Sequence, residues 1–440
     1  MKDAIGHEVS GANARGLEAL EQGLHQLRCY VGDPLASAAR ALAESPELVM
    51  GHVLNGWINL LGTEPAGVAA AQSAYAAAIA LPANDRERRH IAAMGHLASG
   101  HWHAAGRVLE DLSIEYPLDA LALQVGHQID FFTGDARMLR DRIARALPFW
   151  RKRMPGYHAI LGMHAFGLEE CGDYARAEAQ GRASVELEPR DGWGQHAVAH
   201  VMEMQGRRRD GVAWMRANPE AWSRESFLAV HNWWHLALFH LGLDDVDAAL
   251  ALYDGPVAGA GSGVVLEMID ASAMLWRLHL RGVDVGARWQ ALADRWAPFA
   301  SAGNYAFNDA HAMMAFVGAG YGEAALEVLR AQREAVARDD DNARFTREVG
   351  GPYARAILAF GDGDYRECVR LLRDIRSGAH RFGGSHAQRD LIDLTLIEAA
   401  ARGREDRLAA ALSAERAAGR REVGGSRALA ASGPACSAAA

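Results

Sequence analysis

The 440-residue chain has only four cysteines, Cys29, Cys171, Cys368 and Cys436, and no two of them form a Cys-x-x-Cys pair. That scarcity excludes a disulfide framework and a thiolate zinc site, and it fits a reducing compartment, so a cytoplasmic protein is expected. Runs of alternating polar and apolar residues are missing, which argues against β-structure. No apolar run suits a membrane. Residues 66–83 are mostly alanine with Gln72 and Ser73 among them, and they are read as a helix buried against its neighbours. The first apolar stretch is broken by Asp3, His7, Glu8, Arg15 and Glu18, so no signal peptide is expected. Positive charge is in deficit, with a net charge of −9, and the one compact basic run is Arg207-Arg208-Arg209; nucleic acid is not an expected partner. The zinc-protease spacing His-Glu-x-x-His is absent. Gly259-Ala-Gly261-Ser-Gly263 lacks the spacing of a dinucleotide loop and is read as a flexible connection.

What is present is a repeat. Half the residues are hydrophobic and 23% are charged, a globular balance that can fill a core. An apolar helical run, a glycine, a short polar stretch and a small residue opening a second helix recur, as in Gly100-His-Trp-His-Ala-Ala105 and Gly172-Asp-Tyr-Ala-Arg-Ala177. The glycines at 62, 100, 134, 172, 206, 242, 282, 320, 363 and 403 are spaced by 38, 34, 38, 34, 36, 40, 38, 43 and 40 residues. A spacing near 34 is that of a tetratricopeptide helical hairpin, and spacings near 40 are the same unit with longer loops. The fold is therefore expected to be all-α: a tetratricopeptide-like α-solenoid of about ten hairpins, superhelical, with a concave polar pocket. Residues 1–40 are assigned to an N-terminal helical cap, 41–415 to the array, and 416–440 to a low-complexity tail expected to be disordered. No oligomeric state is implied.

Histidine is the unusual component. His196 and His200 lie four apart, as do His231 and His235, so each pair shares a helical face. Both offsets between the pairs are 35 residues, one repeat, so the four rings should converge, with Glu203 on the same face as His200. Three readings follow. The first is a polar pocket for an organic ligand, with no metal expected. The second is a divalent metal held by His196, His200, His231 and His235, with Glu203 as a candidate general base for hydrolysis. The third is structural packing. Trp193, Trp233, Trp234 and Trp276 are possible walls, and Asp270, His311, Gln388, Arg389 and Asp390 are further candidates to line the pocket. Gly383-Gly384-Ser385 opens a helix whose free N–H groups can bind an anion.

The segments Gly162-Met-His-Ala-Phe-Gly-Leu-Glu169-Glu170, His196-Ala-Val-Ala-His200-Val-Met-Glu203-Met204, His231-Asn-Trp-Trp-His235-Leu-Ala-Leu and Gly383-Gly-Ser-His-Ala-Gln388-Arg389-Asp390 resemble the tetratricopeptide repeat protein 38 family. Tyr116-Pro-Leu-Asp-Ala-Leu-Ala-Leu and Leu275-Trp-Arg-Leu extend the likeness, which runs from about residue 40 to 415. The resemblance implies an intracellular helical-repeat protein and assigns no reaction. The function expected is binding of a small molecule or short peptide in the groove, with an enzyme of unassigned reaction or an interaction scaffold as alternatives.

Overall fold

Local chemistry sets where the helices begin. Asp33, Asn84, Asp119, Asp135, Asp191, Asp245, Asp364 and Ser385 each accept a hydrogen bond from a backbone N–H of the first turn that follows them. Asn84 with Glu87, and Ser385 with Gln388, close full capping boxes. The ends are equally regular. At His101, Asp135, Asp173, Arg207, Val283, Tyr321 and Asp364 the backbone N–H reaches the carbonyl five residues back, from His96, Asp130, Leu168, Met202, Leu278, Phe316 and Ala359. This is the Schellman closure, which requires a left-handed residue just before the donor. Gly100, Gly134, Gly172, Gly206, Gly282, Gly320 and Gly363 all have positive φ and supply it.

Three of the expected turn glycines do not. Gly62 and Gly403 are right-handed, with φ of −69° and −75°. The left-handed residue there is Thr63 or Arg404, one position later, and after Gly242 it is Asp244. Asp245 and Glu405 still make the five-residue closure, to His240 and Ala400. At Gly242 and Gly403 the turn thus keeps its closure although the glycine is not its left-handed residue.

The computed structural model of the protein describes residues 1–419 and is all-helical; among these residues there is no strand, only two isolated bridges, Lys2–Glu8 and Val31–Ser226. Successive helices pack in pairs. The first members, among them Ala120–Phe132, Tyr157–Glu170, Gly192–Met204, Ala229–Gly242, Val265–Leu280 and Ala306–Ala319, are buried almost all round. Second members cover them on one side only: Tyr174–Leu187 buries Ala177, Gly181 and Ser184. The alanine-rich helix is of this second kind. It spans Pro65–Ile79, buries Ala71, Ala74 and Ala78, and leaves Ile79 exposed, so it packs by one face rather than being enclosed. No described helix is long and apolar enough to cross a membrane.

Distant turns meet across the interior. Val265 N–H donates to Glu64, and the Asn304 and Asn308 amides donate to the Thr63 carbonyl. Tyr305 donates to the Phe132 carbonyl at 2.9 Å, and the Phe382 carbonyl lies 3.1 Å from the same hydroxyl. Trp276 donates to Thr395 at 2.9 Å. The last described helices, His386–Arg402 and Asp406–Gly419, therefore belong to the packed body, and the helix carrying Arg416 crosses the expected boundary at 416. The rest of the expected tail lies outside the described residues. At the other end, residues 1–40 hold helix Ala14–Cys29 and the start of helix Pro34–Glu44, which runs past the expected boundary at 40.

Gly172 has φ of +80°, and a Cβ there would meet nothing within 4 Å, whereas Gly62 has φ of −69°. Gly172→Ala is expected to destabilise the protein by about 1 kcal/mol through backbone strain alone. Gly62→Ala is expected to be neutral or slightly stabilising. Denaturant midpoints of the two variants check this; equal midpoints would mean that the turns do not depend on left-handed glycine.

Candidate functional site

The N-cap Asp191 fixes the start of Gly192–Met204, and from that helix His196 and His200 project on one face. His231 and His235 project from Ala229–Gly242, which packs beside it. The four rings are in mutual contact: centroid separations are 4.3 Å for His196–His200, 4.5 Å for His200–His235, 4.8 Å for His196–His231, 4.9 Å for His231–His235 and 5.0 Å for His196–His235. One nitrogen from each ring lies within 4.8 Å of the others. His200 and His235 are fully buried, His196 is buried, and His231 is half-buried at the edge. Phe166 packs against His196 and His200, Trp193 against His196, and Trp234 stacks on His231.

The hydrogen bonds within this cluster are uneven. Asp270 receives His231 Nδ1–H at 2.9 Å, which turns His231 Nε2 toward His196 Nε2, 3.0 Å away. His200 Nδ1 lies 3.6 Å from Glu169 Oε2, outside hydrogen-bond reach. Both nitrogens of His200, both of His235, Nδ1 of His196 and both oxygens of Glu169 are buried without a hydrogen-bond partner. Leaving one such group unpaired costs about 1–3 kcal/mol, so packing alone is an expensive explanation for the cluster.

The carboxylates that group with His200 are Glu169 and Glu170. Glu203 is half-buried and bears on Arg416, whose pKa is raised by Asp390 and Glu203 against burial. Sequence reasoning had a route to Glu169, which stands three residues before Gly172 as Glu203 stands three before Gly206. The anion expected at the start of the His386–Arg402 helix is Glu170 itself. It accepts from the His386 backbone N–H at 2.9 Å, and His386 Nδ1 and Arg389 approach it at 3.3 Å.

The remaining candidates divide between this region and elsewhere. Asp390 makes a two-pronged pair with Arg416 at 2.8 Å, and Gln388 is occupied in the capping box. Arg277 sits over Trp234 and donates to the Ala387 carbonyl, joining the histidine cluster to the same helix. Trp276 serves Thr395, and His311 donates within its own helix to the Phe307 carbonyl. Trp193 donates to His127 Nε2 and stacks on Tyr30. Trp233 packs against Trp222. A Cys29–His158–Asp191 line also forms, with His158 Nδ1 2.7 Å from Asp191 and Nε2 4.0 Å from the thiol, but burial pushes the Cys29 pKa up to about 12 and makes it a poor nucleophile.

His386 and Arg389, which meet Glu170, also line a cavity of about 810 Å³. His386, Arg389 and Asp390 form its floor together with Met204, one helical turn beyond His200. Arg344, Arg376, Arg381 and Arg416 surround it, with His103 and His380. Asp135, Asp393 and Glu415 supply negative charge to the same lining.

Burial, then repulsion among the rings, holds the pKa values of His196 and His235 well below the ordinary range, and burial lowers His200 to about 3. Burial likewise lowers His127 to about 3 and His311 to about 4. Glu169 is pushed well up by burial and then by the charge of Glu170. Glu170 is held down, because Arg389 and His386 outweigh its burial. Below the ordinary histidine value of 6.5, the unfolded chain binds protons that these five buried rings refuse, so stability falls with pH. Each ring contributes a slope of up to about 1.4 kcal/mol per pH unit. Buried carboxyls with raised pKa values oppose, since they keep protons that the unfolded chain releases: Glu169, and Asp309, which burial pushes up to about 7. Denaturant midpoints are therefore expected to drop between pH 7 and pH 5; an unchanged or higher midpoint at pH 5 would show that the rings are charged in the folded protein.

No model of a known protein family matches the chain, so the reading of this region rests on its own chemistry.

Proposed function

We propose that the protein is a tetratricopeptide-like repeat array, of the kind the tetratricopeptide repeat protein 38 family exemplifies, that binds a small zwitterionic molecule or short peptide in the cavity lined by His386 and Arg389. The repeated Schellman turns and the pairing of successive helices support the array. The observation that carries the binding reading is the cavity's mixed lining. Five arginines and three histidines face it beside Asp135, Asp390, Asp393 and Glu415. Guanidinium groups take a carboxylate in two parallel hydrogen bonds, and the acids can take an ammonium group. An apolar ligand would leave these charges desolvated, so the lining selects against one. The widely separated thiols suit a reducing, cytoplasmic setting.

The rim arginines Arg344 and Arg381 are half exposed, and both pair with Glu348 rather than with the floor. Calorimetric titration of the protein with amino acids, dicarboxylates and di- to tetrapeptides is expected to find a binder among those with a free carboxylate. The double variant Arg344→Ala with Arg381→Ala should weaken it at least tenfold with little change in the melting temperature of the free protein. Absence of any binder in the panel, or binding that the double variant leaves intact, would overturn the reading.

A further inference from the structure

We infer that His196, His200, His231 and His235 are the four ligands of a buried, closed centre for one borderline divalent transition-metal ion of the zinc class. This goes beyond ligand binding in the cavity and does not depend on it. Two i, i+4 pairs on adjacent helices place four nitrogens within 4.8 Å of one another. A zinc ion with nitrogen ligands at about 2.0–2.1 Å needs neighbouring nitrogens about 3.3 Å apart in a tetrahedron. The His196 and His231 Nε2 atoms already stand 3.0 Å apart, and one nitrogen each of His200 and His235 lies within 4.8 Å of this pair. Because the rings touch one another, the space between them fits an ion and not an organic molecule.

The surroundings match what a nitrogen-ligated ion needs. Metal-bound histidines usually donate their second ring nitrogen to a carboxylate, which fixes the ring and its tautomer. Asp270 does this for His231, and Glu169 lies against Nδ1 of His200 at 3.6 Å. Phe166, Trp193 and Trp234 enclose the rings and exclude water. Pairing within the protein does not account for the unpartnered nitrogens of His200 and His235. An all-imidazole set disfavours magnesium and calcium, which take oxygen ligands. Four protein ligands fill a tetrahedral ion, so the centre braces two adjacent repeats and offers no open position for hydrolysis.

The test uses full-length protein without a histidine tag. Elemental analysis as purified, followed by chelation and titration with Co²⁺ alone, is expected to give one equivalent per chain and the intense visible bands of a tetrahedral cobalt site. Zn²⁺ should displace the cobalt and raise the melting temperature of the chelated protein. His231→Ala, at the half-buried edge, should lose the tetrahedral spectrum and at least tenfold in Co²⁺ affinity; His200→Ala with His235→Ala should lose both if circular dichroism shows it folded. His311→Ala, which removes a buried histidine elsewhere, should bind as the wild type does. Wild-type protein that takes up no cobalt after chelation overturns the inference, and so does a tetrahedral spectrum that His231→Ala leaves unchanged.

Discussion

The interaction on which the rest of the molecule depends is the grip on Glu170. A carboxylate in the interior must be met by donors or it takes up a proton. Here the donors come from a helix start 216 residues further along, where the His386 N–H, together with Arg389 and the His386 ring, closes around it. That contact draws the His386–Arg402 helix against the middle of the chain. Arg277 and Asp390 then find each other, the Trp276 N–H reaches Thr395, and the cavity acquires a floor. Glu170 stays ionised, and its charge helps keep the neighbouring Glu169 protonated.

A related economy runs through the helix starts. Asp119 caps its helix at Ala122 and with its other oxygen meets Arg86 and His90 of the preceding pair. Asp191 caps at Gly194 and meets His158 and Ser184. One carboxylate thus starts a helix and fastens it to its predecessor. This is why buried acids recur at these positions without destabilising the core. In the same manner the cap at Ser385 leaves the His386 N–H for Glu170.

The turns and the histidine face were legible because they are local. A glycine near every 34 to 43 residues and histidines four apart are periodic properties of the chain, and one repeat offset was enough to align His196 with His231 and His200 with His235. The exceptions at Gly62, Gly242 and Gly403 arise because Thr63, Asp244 and Arg404 adopt the left-handed conformation themselves, which residue type alone does not announce. What periodicity does not encode is closure across the interior. Glu203 shares a helix face with His200, yet the acids that reach His200 come from the neighbouring helix, Glu169 and Glu170. The helix start at Ser385 was visible as an anion site, but its anion is internal. A concave polar pocket was expected from repeat geometry, and the candidates Trp234, Asp270, Trp276 and His311 are buried among helices.

The span of the Glu170 contact also bears on how the protein is made. At synthesis rates of about 5–20 residues per second, roughly ten to forty seconds separate the emergence of Glu170 from that of the helix that neutralises it. Through that interval the nascent chain carries Glu170 without the donors that meet it in the folded protein. The contact between Glu170 and the His386–Arg402 helix can form only after that helix has left the ribosome.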